Sequence, residues 1–230
     1  PRLVSTAKII DSISYREAME LSHFGAKVIY PPTLLPAMQN GLPVYIKNTF
    51  APQDAGTLIQ NKITEDDSSV TGISSINNIA LLSLEGSGMV GIPGFSKRLF
   101  SALAKQKINV ILITQSSSEH SICVGIEDKN VSLAKQVVDE EFLYEIGLKK
   151  LEPLKTEVNL SVIALVGDRM KNHTGVSGKF FSALGKNGVN VRAISQGSSE
   201  RNITAVISSR DVRKAINVVH EVFFENAVKE

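Results

Sequence analysis

The stretch GFSKRLFSALAKQKINVILITQSSSEHSI, residues 94–122, recurs 81 residues further on as GVSGKFFSALGKNGVNVRAISQGSSERNI, residues 175–203. Working outward from this pair, residues 79–142 (copy one) align with residues 160–223 (copy two) without a gap. Of the 64 aligned pairs, 25 are identical. Self-similarity at one fixed spacing is typical of a duplicated structural unit. The sequence therefore predicts two copies of one small fold.

Both copies have the same order of predicted elements. An apolar stretch predicts a first strand, and two β-branched runs joined by a polar turn predict a hairpin after the first helix. In copy one these strands are residues 79–84, 110–114 and 122–126, and in copy two residues 160–166, 191–195 and 203–207. Apolar side chains at helical spacing predict two helices in each copy. They are Phe95, Leu99, Ala102, Leu103, Val131, Ala134, Val137 and Val138 in copy one, and Val176, Phe180, Ala183, Leu184, Val212, Ala215, Val218 and Val219 in copy two.

The order β-α-β-β-α, with a final strand that the sequence does not locate, indicates the split βαβ or ferredoxin-like pattern of the α+β class. A unit of this size buries only about 60% of the surface of its unfolded chain, so one copy alone is expected to be marginally stable. Pairing with a second copy, or with a second chain, would relieve this.

Composition excludes several classes of protein. The chain has 230 residues, of which 43% are hydrophobic and 21% charged, with a formal net charge of +2. This balance gives no electrostatic reason to expect a nucleic-acid or membrane partner. The longest apolar run has only five residues, 162–166, and we expect no signal peptide, because the first residues lack a basic stretch followed by an apolar one. The single Cys123 cannot form an internal disulfide, so we expect a cytoplasmic protein.

The residues ahead of the repeat show a different pattern and belong to neither copy. Ser14 and Glu17 have the spacing of a capping box, and Gly25 lies where the following helix would end. Beyond it, a strand is predicted at 27–30, a short helix from Thr33 to Gly41 and a strand at 44–47. The polar residues 51–69 predict a surface connection, and LEPLKTE, residues 151–157, a linker between the copies. Because the chain begins with Pro1 and this front piece is small, we expect it to be a fragment of a longer protein.

The predicted domain boundaries are residues 1–52 for the front piece, 53–76 for a connecting segment, 77–150 for the first repeated domain and 151–230 for the second.

Few patterns in the sequence point to catalysis. No metal-ligand spacing relates His23, His120, His173, His220 and Cys123, so no metal site and no catalytic residue is predicted. Cys123 lies in an apolar strand, where a thiol more often packs than reacts. The literal G-x-G-x-x-G at residues 86–91 resembles a dinucleotide fingerprint, but an acidic residue at the end of the next parallel strand is missing. We therefore expect no nucleotide site there.

The same loop suits a different ligand. The N–H groups at the start of a helix can bind a carboxylate, and the Q-x-S-S-E turn that follows the next strand could hold an ammonium or hydroxyl group. A polar turn that only solvates itself explains the same residues equally well. The residues alone leave both interpretations open.

These residues resemble a known family. Gly88-Met89 and Gly94-Phe95 before the helix, with QSSSE and QGSSE after the next strand, are similar to the paired ACT domains of aspartokinases. The front piece, SYREAMELSHFGAKVIYPPTLLPAMQNGLPVYIKNTFAPQDAGTLI, resembles the C-terminal end of the aspartokinase catalytic domain. The LEPL and QGSSER sequences look most like the bifunctional aspartokinase–homoserine dehydrogenases. One departure is Tyr30-Pro31-Pro32, where many relatives have His-Pro-Arg.

The resemblance implies a parent enzyme that phosphorylates aspartate with ATP and Mg²⁺, and that uses NADP if a homoserine dehydrogenase is fused to it. No cofactor is expected in this chain, which by itself should be catalytically inactive. The resemblance also implies feedback inhibition by an end-product amino acid, threonine or else lysine, and a homodimer or higher homo-oligomer assembled through the ACT domains. The alternative is a dimerisation module that binds no ligand.

Carried over by motif, the effector-binding residues are Met89, Gly94, Phe95, Asn109, Gln115, Ser117, Ser118, Asn190, Gln196, Ser198 and Ser199. Copy one keeps the more open glycine loop and is the favoured site.

Overall fold

The structure, a computed structural model, describes residues 3–26, 29–61, 69–115 and 120–225. The chain divides into a terminal unit, residues 1–76 with 162–230, and a central unit, residues 77–161. Within the described residues, no helix combines the length and the apolar character of a membrane span.

The elements in chain order are β1 (Ser12–Ser14), α1 (Tyr15–His23), α2 (Leu35–Gln39), β2 (Val44–Ile46), β3 (Thr57–Gln60), β4 (Gly72–Glu85), α3 (Phe95–Lys105), β5 (Val110–Gln115), β6 (Ser121–Glu127), α4 (Val131–Glu141), α5 (Leu143–Gly147), β7 (Lys155–Val166), α6 (Val176–Lys186), β8 (Val191–Gln196), β9 (Asn202–Ser208) and α7 (Val212–His220). Short 3-10 turns occupy Pro31–Leu34, Ser87–Met89, Asp128–Asn130, Asp168–Met170 and Ser209–Asp211, and a π-helical turn ends the described chain at Glu221–Glu225.

The central unit is the first α+β module. Strand β6 pairs antiparallel with β4, from Ile79↔Glu127 to Glu85↔Ser121, and β5 forms the outer edge beside β6. Helices α3 and α4 share one hydrophobic core with these strands. The predicted stripe of α3 is confirmed, because Phe95, Leu99, Ala102 and Leu103 are all buried. Burial of that stripe gives the helix its one fixed orientation.

The final strand of this module comes from β7. Its residues 155–161 follow the LEPL sequence, and just ahead of them the N–H of Glu152 donates to the carbonyl of Glu85 over 2.9 Å. At the other end, Ser161 Oγ donates to Asn77 Oδ1 over 3.1 Å. The two contacts run in opposite order along the strands, so this pairing is antiparallel. The missing strand of the pattern is thereby located.

The terminal unit contains copy two, with β7, β9 and β8 in that order and helices α6 and α7 in one core. Its final strand comes from far upstream, because the N–H of Thr71, directly before β4, donates to the carbonyl of Val166 over 2.8 Å. Val4 and Val70 are buried in the same core. The α6 stripe of Val176, Phe180, Ala183 and Leu184 is buried as predicted.

The front piece packs in this same unit. Its three short strands have the order β1-β3-β2, and their core includes Ile13, Tyr15 and Ile59. The predicted capping box is confirmed: Glu17 N donates to Ser14 Oγ over 3.1 Å, and Ser14 N donates to the Glu17 carboxylate over 2.9 Å. These bonds satisfy two backbone donors that the first turn of α1 would otherwise leave unpaired.

Three sequence predictions were wrong in part. Of the strand predicted at 27–30, Lys27 and Val28 lie outside the described residues, and Ile29 and Tyr30 are not in a strand, since a 3-10 turn begins at Pro31. The supposed surface connection 51–69 contains β3, whose Ile59 is buried; residues 62–68 lie outside the described ranges. The supposed linker at 151–157 contributes buried Leu151 and Leu154 to the central core before β7 begins.

A glycine-to-alanine pair tests the attachment of α1 within the terminal unit. Gly25 has φ +107°, and a Cβ built there would lie 2.3 Å from the backbone oxygen of Ser75. We expect Gly25→Ala to lower the free energy of unfolding by about 2 kcal/mol or more, because both the backbone conformation and the contact are strained. Gly185→Ala, inside α6 with no atom within 4 Å of the new Cβ, should instead be neutral or raise it by about 0.5–1 kcal/mol. Urea denaturation measures both, and equal midpoints for the two variants would contradict this account.

Candidate functional site

A cavity of about 330 Å³ opens in the central unit, at the start of α3 and the end of β5. Nine residues line it: Met89, Gly91, Ile92, Pro93, Gly94, Phe95, Ser96, Gln115 and Ile122. Four of the predicted site residues, Met89, Gly94, Phe95 and Gln115, are among them. Residues 86–94, five of which line the cavity, are called the cavity loop below.

The last glycines of the cavity loop are required by its backbone. Gly91 has φ +67° and Gly94 has φ +106°, both in the left-handed region that L residues rarely adopt. No atom lies within 4 Å of a Cβ built at either position, so conformation rather than crowding selects glycine there. The two turns bend the chain so that buried Met89 and then Phe95 reach the cavity.

The first glycines of the loop have a packing role. A Cβ at Gly86 would lie 2.3 Å from the carbonyl oxygen of Lys150, and one at Gly88 would lie 2.7 Å from Lys150 Cβ. The N–H of Gly88 also donates to the Lys150 carbonyl over 3.0 Å. Close approach of this neighbouring segment accounts for the G-x-G spacing, so a nucleotide phosphate is not needed to explain it.

The positive end of a helix borders the cavity. Helix α3 has 11 residues and begins after Gly94, which has no side chain to cap it. The first-turn N–H groups of an α-helix lack intrahelical acceptors, and Gly94, Phe95 and Ser96 all line the cavity. An anionic group such as a carboxylate is stabilised at this position by those donors and by the helix dipole.

An aromatic and ionic clamp holds Phe95 in place. Its ring stacks on Phe142 with centroids 5.7 Å apart, and the Arg98 guanidinium lies 4.4 Å from the Phe142 centroid. Arg98 Nε pairs with Glu141 at 2.8 Å, and its remaining nitrogens bond both carboxylate oxygens of Glu145. The hydrogen bonds from Arg98 lower the pKa of Glu145, and those carboxylates raise the pKa of Arg98. The counterparts of Phe95 and Arg98 in copy two are Val176 and Lys179, so this clamp belongs to copy one.

Gln115 lies at the opposite wall. It is the last residue of β5, pairs in register with Ile122, and is exposed to solvent at the rim of the cavity. Its amide can both donate and accept hydrogen bonds. The predicted residues Ser117 and Ser118 follow it but lie outside the described residues.

Other predicted site residues lie elsewhere. Asn109 is exposed between α3 and β5 and does not line the cavity. In copy two, Asn190, Gln196 and Ser198 are exposed and Ser199 is half-buried. Sequence reasoning missed Gly91, Ile92, Pro93, Ser96 and Ile122. The position of the first three between Met89 and α3, and that of Ser96 in the first turn of α3, could have indicated them.

In copy two, polar and charged side chains of the protein form hydrogen bonds with the matching loop. Asp168 accepts a hydrogen bond from Arg201 Nε over 2.6 Å and another from Ser14 Oγ over 2.6 Å. The N–H of Asn172 donates to the Glu200 carboxylate over 2.9 Å. Asp168 and Asn172 stand where copy one has Ser87 and Gly91, so the two loops have diverged in chemistry.

Cys123 lies half-buried on β6, and burial raises the pKa of its thiol despite a hydrogen bond with Ser83. A neutral thiol is a weak nucleophile, which favours a packing role.

Comparison with known families and proteins places this geometry in context. The model of the ACT domain family matches residues 82–142 and 163–223, and that of the amino acid kinase family matches residues 1–48. The bifunctional aspartokinase/homoserine dehydrogenase of Haemophilus influenzae is 43% identical over 98% of this chain, which covers 28% of that protein. The lysine-sensitive aspartokinase 3 of Escherichia coli is 33% identical over 98% of this chain, which covers 49% of it.

Among solved structures, the aspartate kinase of Clostridium acetobutylicum superposes with a TM-score of 0.87 at 31% identity. The match covers 97% of this chain and 51% of that one. The chain thus spans about a quarter to a half of the length of these relatives.

The clamp beside the cavity is testable through its pH dependence. We expect Glu145→Gln to lower the free energy of unfolding at pH 7 by about 1–2 kcal/mol, since it removes hydrogen bonds to a charged partner. The folded-state pKa of Glu145 is lowered, so its stabilisation is complete above the unfolded carboxyl pKa of about 4.3 and is lost as the pH falls through the folded-state value. Thermal unfolding of wild type and variant should therefore converge at acid pH.

The matched control is Glu140→Gln, because the Glu140 carboxylate accepts a solvent-exposed hydrogen bond from the side chain of Gln136. Its stability should change by less than about 0.5 kcal/mol at either pH. A deficit in Glu145→Gln that stays constant from neutral to acid pH would argue against the Arg98 pairing as its cause.

Proposed function

This chain belongs to the ACT domain family and corresponds to the regulatory part of aspartokinases, and from this premise we propose that it binds an end-product amino acid for feedback inhibition. Threonine is the proposed effector, and the copy-one cavity is its proposed site. The parent protein would phosphorylate the side-chain carboxylate of aspartate with ATP and Mg²⁺ in the cytoplasm, with NADP serving a fused homoserine dehydrogenase.

The observation that carries the proposal is the cavity itself. Its volume of about 330 Å³ is at the low end of the roughly 300–1,000 Å³ typical of ligand pockets, which suits a small metabolite. The start of α3 offers backbone donors for a carboxylate. The Gln115 amide on the opposite wall can accept from an ammonium group or bond a hydroxyl.

The lining also favours a neutral side chain on the effector. None of the described residues that line the cavity carries a charge. The ammonium of a lysine side chain would have to be held without an acidic partner among them, and an unpaired charge is costly to bury. Threonine needs only an apolar contact for its methyl group and one hydrogen bond for its hydroxyl. Lysine remains the alternative effector, as the name of the lysine-sensitive relative indicates for that protein.

We place the effector in copy one because the two loops differ. The copy-two loop has its own carboxylate, Asp168, already engaged by Ser14 and Arg201. A carboxylate at that position would repel the carboxylate of an amino acid. We propose one effector site in each chain.

Self-association through the ACT domains is part of the proposal. Ile113 on the edge strand β5 is 50% exposed, and Ile92 at the cavity is 54% exposed. An open edge with apolar side chains is a typical pairing surface, so we propose a homodimer or higher homo-oligomer.

A thermal-shift panel of threonine, lysine, methionine and isoleucine tests the effector. We expect threonine to raise the melting temperature of this chain, since a ligand at 100 times its dissociation constant adds about 2.7 kcal/mol of stability. The other three amino acids should shift it less. No shift with any of them, together with a melting temperature that rises with protein concentration, would instead support a dimerisation module that binds no ligand.

A pair of equivalent substitutions tests the site. Gln115→Ala should weaken threonine binding at least about tenfold, which is the loss of about 1.4 kcal/mol expected for a hydrogen bond to a charged or polar ligand. Gln196→Ala removes the same residue type from the same strand position of copy two and should leave the affinity unchanged. Titration calorimetry measures both, and the reverse result would move the site to copy two.

A further inference from the structure

Glu17 is the most deeply buried carboxylate among the described residues, with 1% of its surface exposed. One oxygen accepts from Ser14 N over 2.9 Å, while the other accepts from the Thr71 hydroxyl and from Asp168 N, the latter over 2.8 Å. Three separated segments of the terminal unit meet at this one side chain. They are the start of α1, the residue before β4, and the loop after β7.

A second carboxylate completes the cluster. Asp168 accepts from Ser14 Oγ and pairs with Arg201. We call Ser14, Glu17, Thr71, Asp168 and Arg201 the Glu17 joint. A structural cap needs only Ser14 and Glu17, so the bonds to Thr71 and Asp168 go beyond what the helix requires.

The chemistry of the joint makes it sensitive to displacement. Its hydrogen bonds require donor–acceptor distances near 3 Å and directed geometry, whereas apolar contacts tolerate sliding. A buried carboxylate that loses one of its donors is less well paired in surroundings where water does not replace the lost bond, which carries a free-energy cost. The hydrogen bonds to Glu17 therefore resist a shift of Thr71 or Asp168, unless α1 moves together with the shifted residue.

Chain connectivity relates the joint to the cavity loop. Thr71 directly precedes β4, and the other end of β4 leads into Gly86. Asp168 is two residues beyond β7, and the segment that leads into β7 bonds the base of the loop through the Lys150 carbonyl to Gly88 N and through Glu152 N to the Glu85 carbonyl. Each of these two strands thus has one end at the base of the cavity loop and the other end next to a residue that bonds Glu17.

The repeat shows that the joint is specific to copy two. Asp168 replaces Ser87 and Arg201 replaces His120 of copy one, so common ancestry of the copies does not account for this pair. We propose that the Glu17 joint is the regulatory coupling of this protein: effector binding at the cavity loop displaces β4 or β7, and Glu17 passes that displacement to α1 at the end of the kinase piece. This proposal rests on the function proposed above.

Amide hydrogen exchange of the whole chain, with and without saturating threonine, tests the coupling. In the wild-type chain, threonine should change the exchange rates of the amides of α1 as well as those of the cavity loop. Asp168→Ser installs the copy-one residue and removes the carboxylate that accepts from Ser14 and Arg201, but keeps the backbone N–H that donates to Glu17. In this variant the cavity loop should still respond, while the response of α1 is reduced. The affinity for threonine should stay within about threefold, since the site itself is untouched.

Two further variants keep the test decisive. Thr71→Val removes one hydroxyl donor at almost constant volume and should have the same effect even if Asp168→Ser folds poorly. Glu20→Gln is the matched control: Glu20 also lies on α1 and accepts from Asn202 of copy two over 2.9 Å, but it does not contact Thr71 or Asp168 in the described contacts. The Glu20→Gln variant should therefore show the same response of α1 to threonine as the wild type.

The outcomes separate the two proposals. Suppose that threonine binds and protects the cavity loop, but α1 does not respond in the wild type. Suppose instead that α1 responds as strongly in Asp168→Ser and in Thr71→Val as in the wild type. Either result would show that the coupling is wrong while the effector site stands. If threonine does not bind, the proposed function itself fails. In the full-length enzyme, the corresponding expectation is that saturating threonine inhibits both variants much less than it inhibits the wild type, with uninhibited activity retained.

Discussion

The backbone pairing of β4 with β7 inside each unit is the constraint on which the rest of the structure depends. Residues 155–161 provide the last strand of the central unit, and residues 72–76 the last strand for copy two. The central unit completes its sheet within one contiguous stretch, residues 77–161, whereas copy two takes its last strand from a segment far upstream. This pairing also brings Lys150 against Gly86 and Gly88, so the shape of the cavity loop follows from it.

Duplication followed by divergence explains how one fold provides two different loops. In copy one, glycines and apolar residues leave a cavity at the start of α3, while Arg98, Phe142 and Glu145 hold Phe95 rigidly beside it. In copy two, Asp168 and Arg201 fill the corresponding loop with charge and connect it to α1. Polar residues in an otherwise shared scaffold thus distinguish a loop that borders a cavity from one that connects structural elements.

Much of the fold was predictable because it depends on local patterns. The capping box at Ser14 and Glu17, the helix stripes of Phe95 to Leu103 and Val176 to Leu184, and the β6 and β9 hairpins all follow from periodicity within a few residues. Strand β3 was missed because a four-residue strand in a polar region has too little pattern to detect; its Ile59 becomes buried only through pairing with β1 and β2. Leu151 and Leu154 were assigned to a linker because they stand among polar residues, and they become buried only in the core of the central unit.

The sequence by itself determined the duplicated α+β module, the family it resembles, and four residues that line the cavity. Only the tertiary structure decided which strand completes each sheet, why Gly86 and Gly88 are glycines, and that Glu17 meets Thr71 and Asp168. The physical reason is sequence separation. Hydrogen bonds and close contacts between residues 54 to 151 positions apart leave no periodic trace along the chain, and they exist only once the strands have paired.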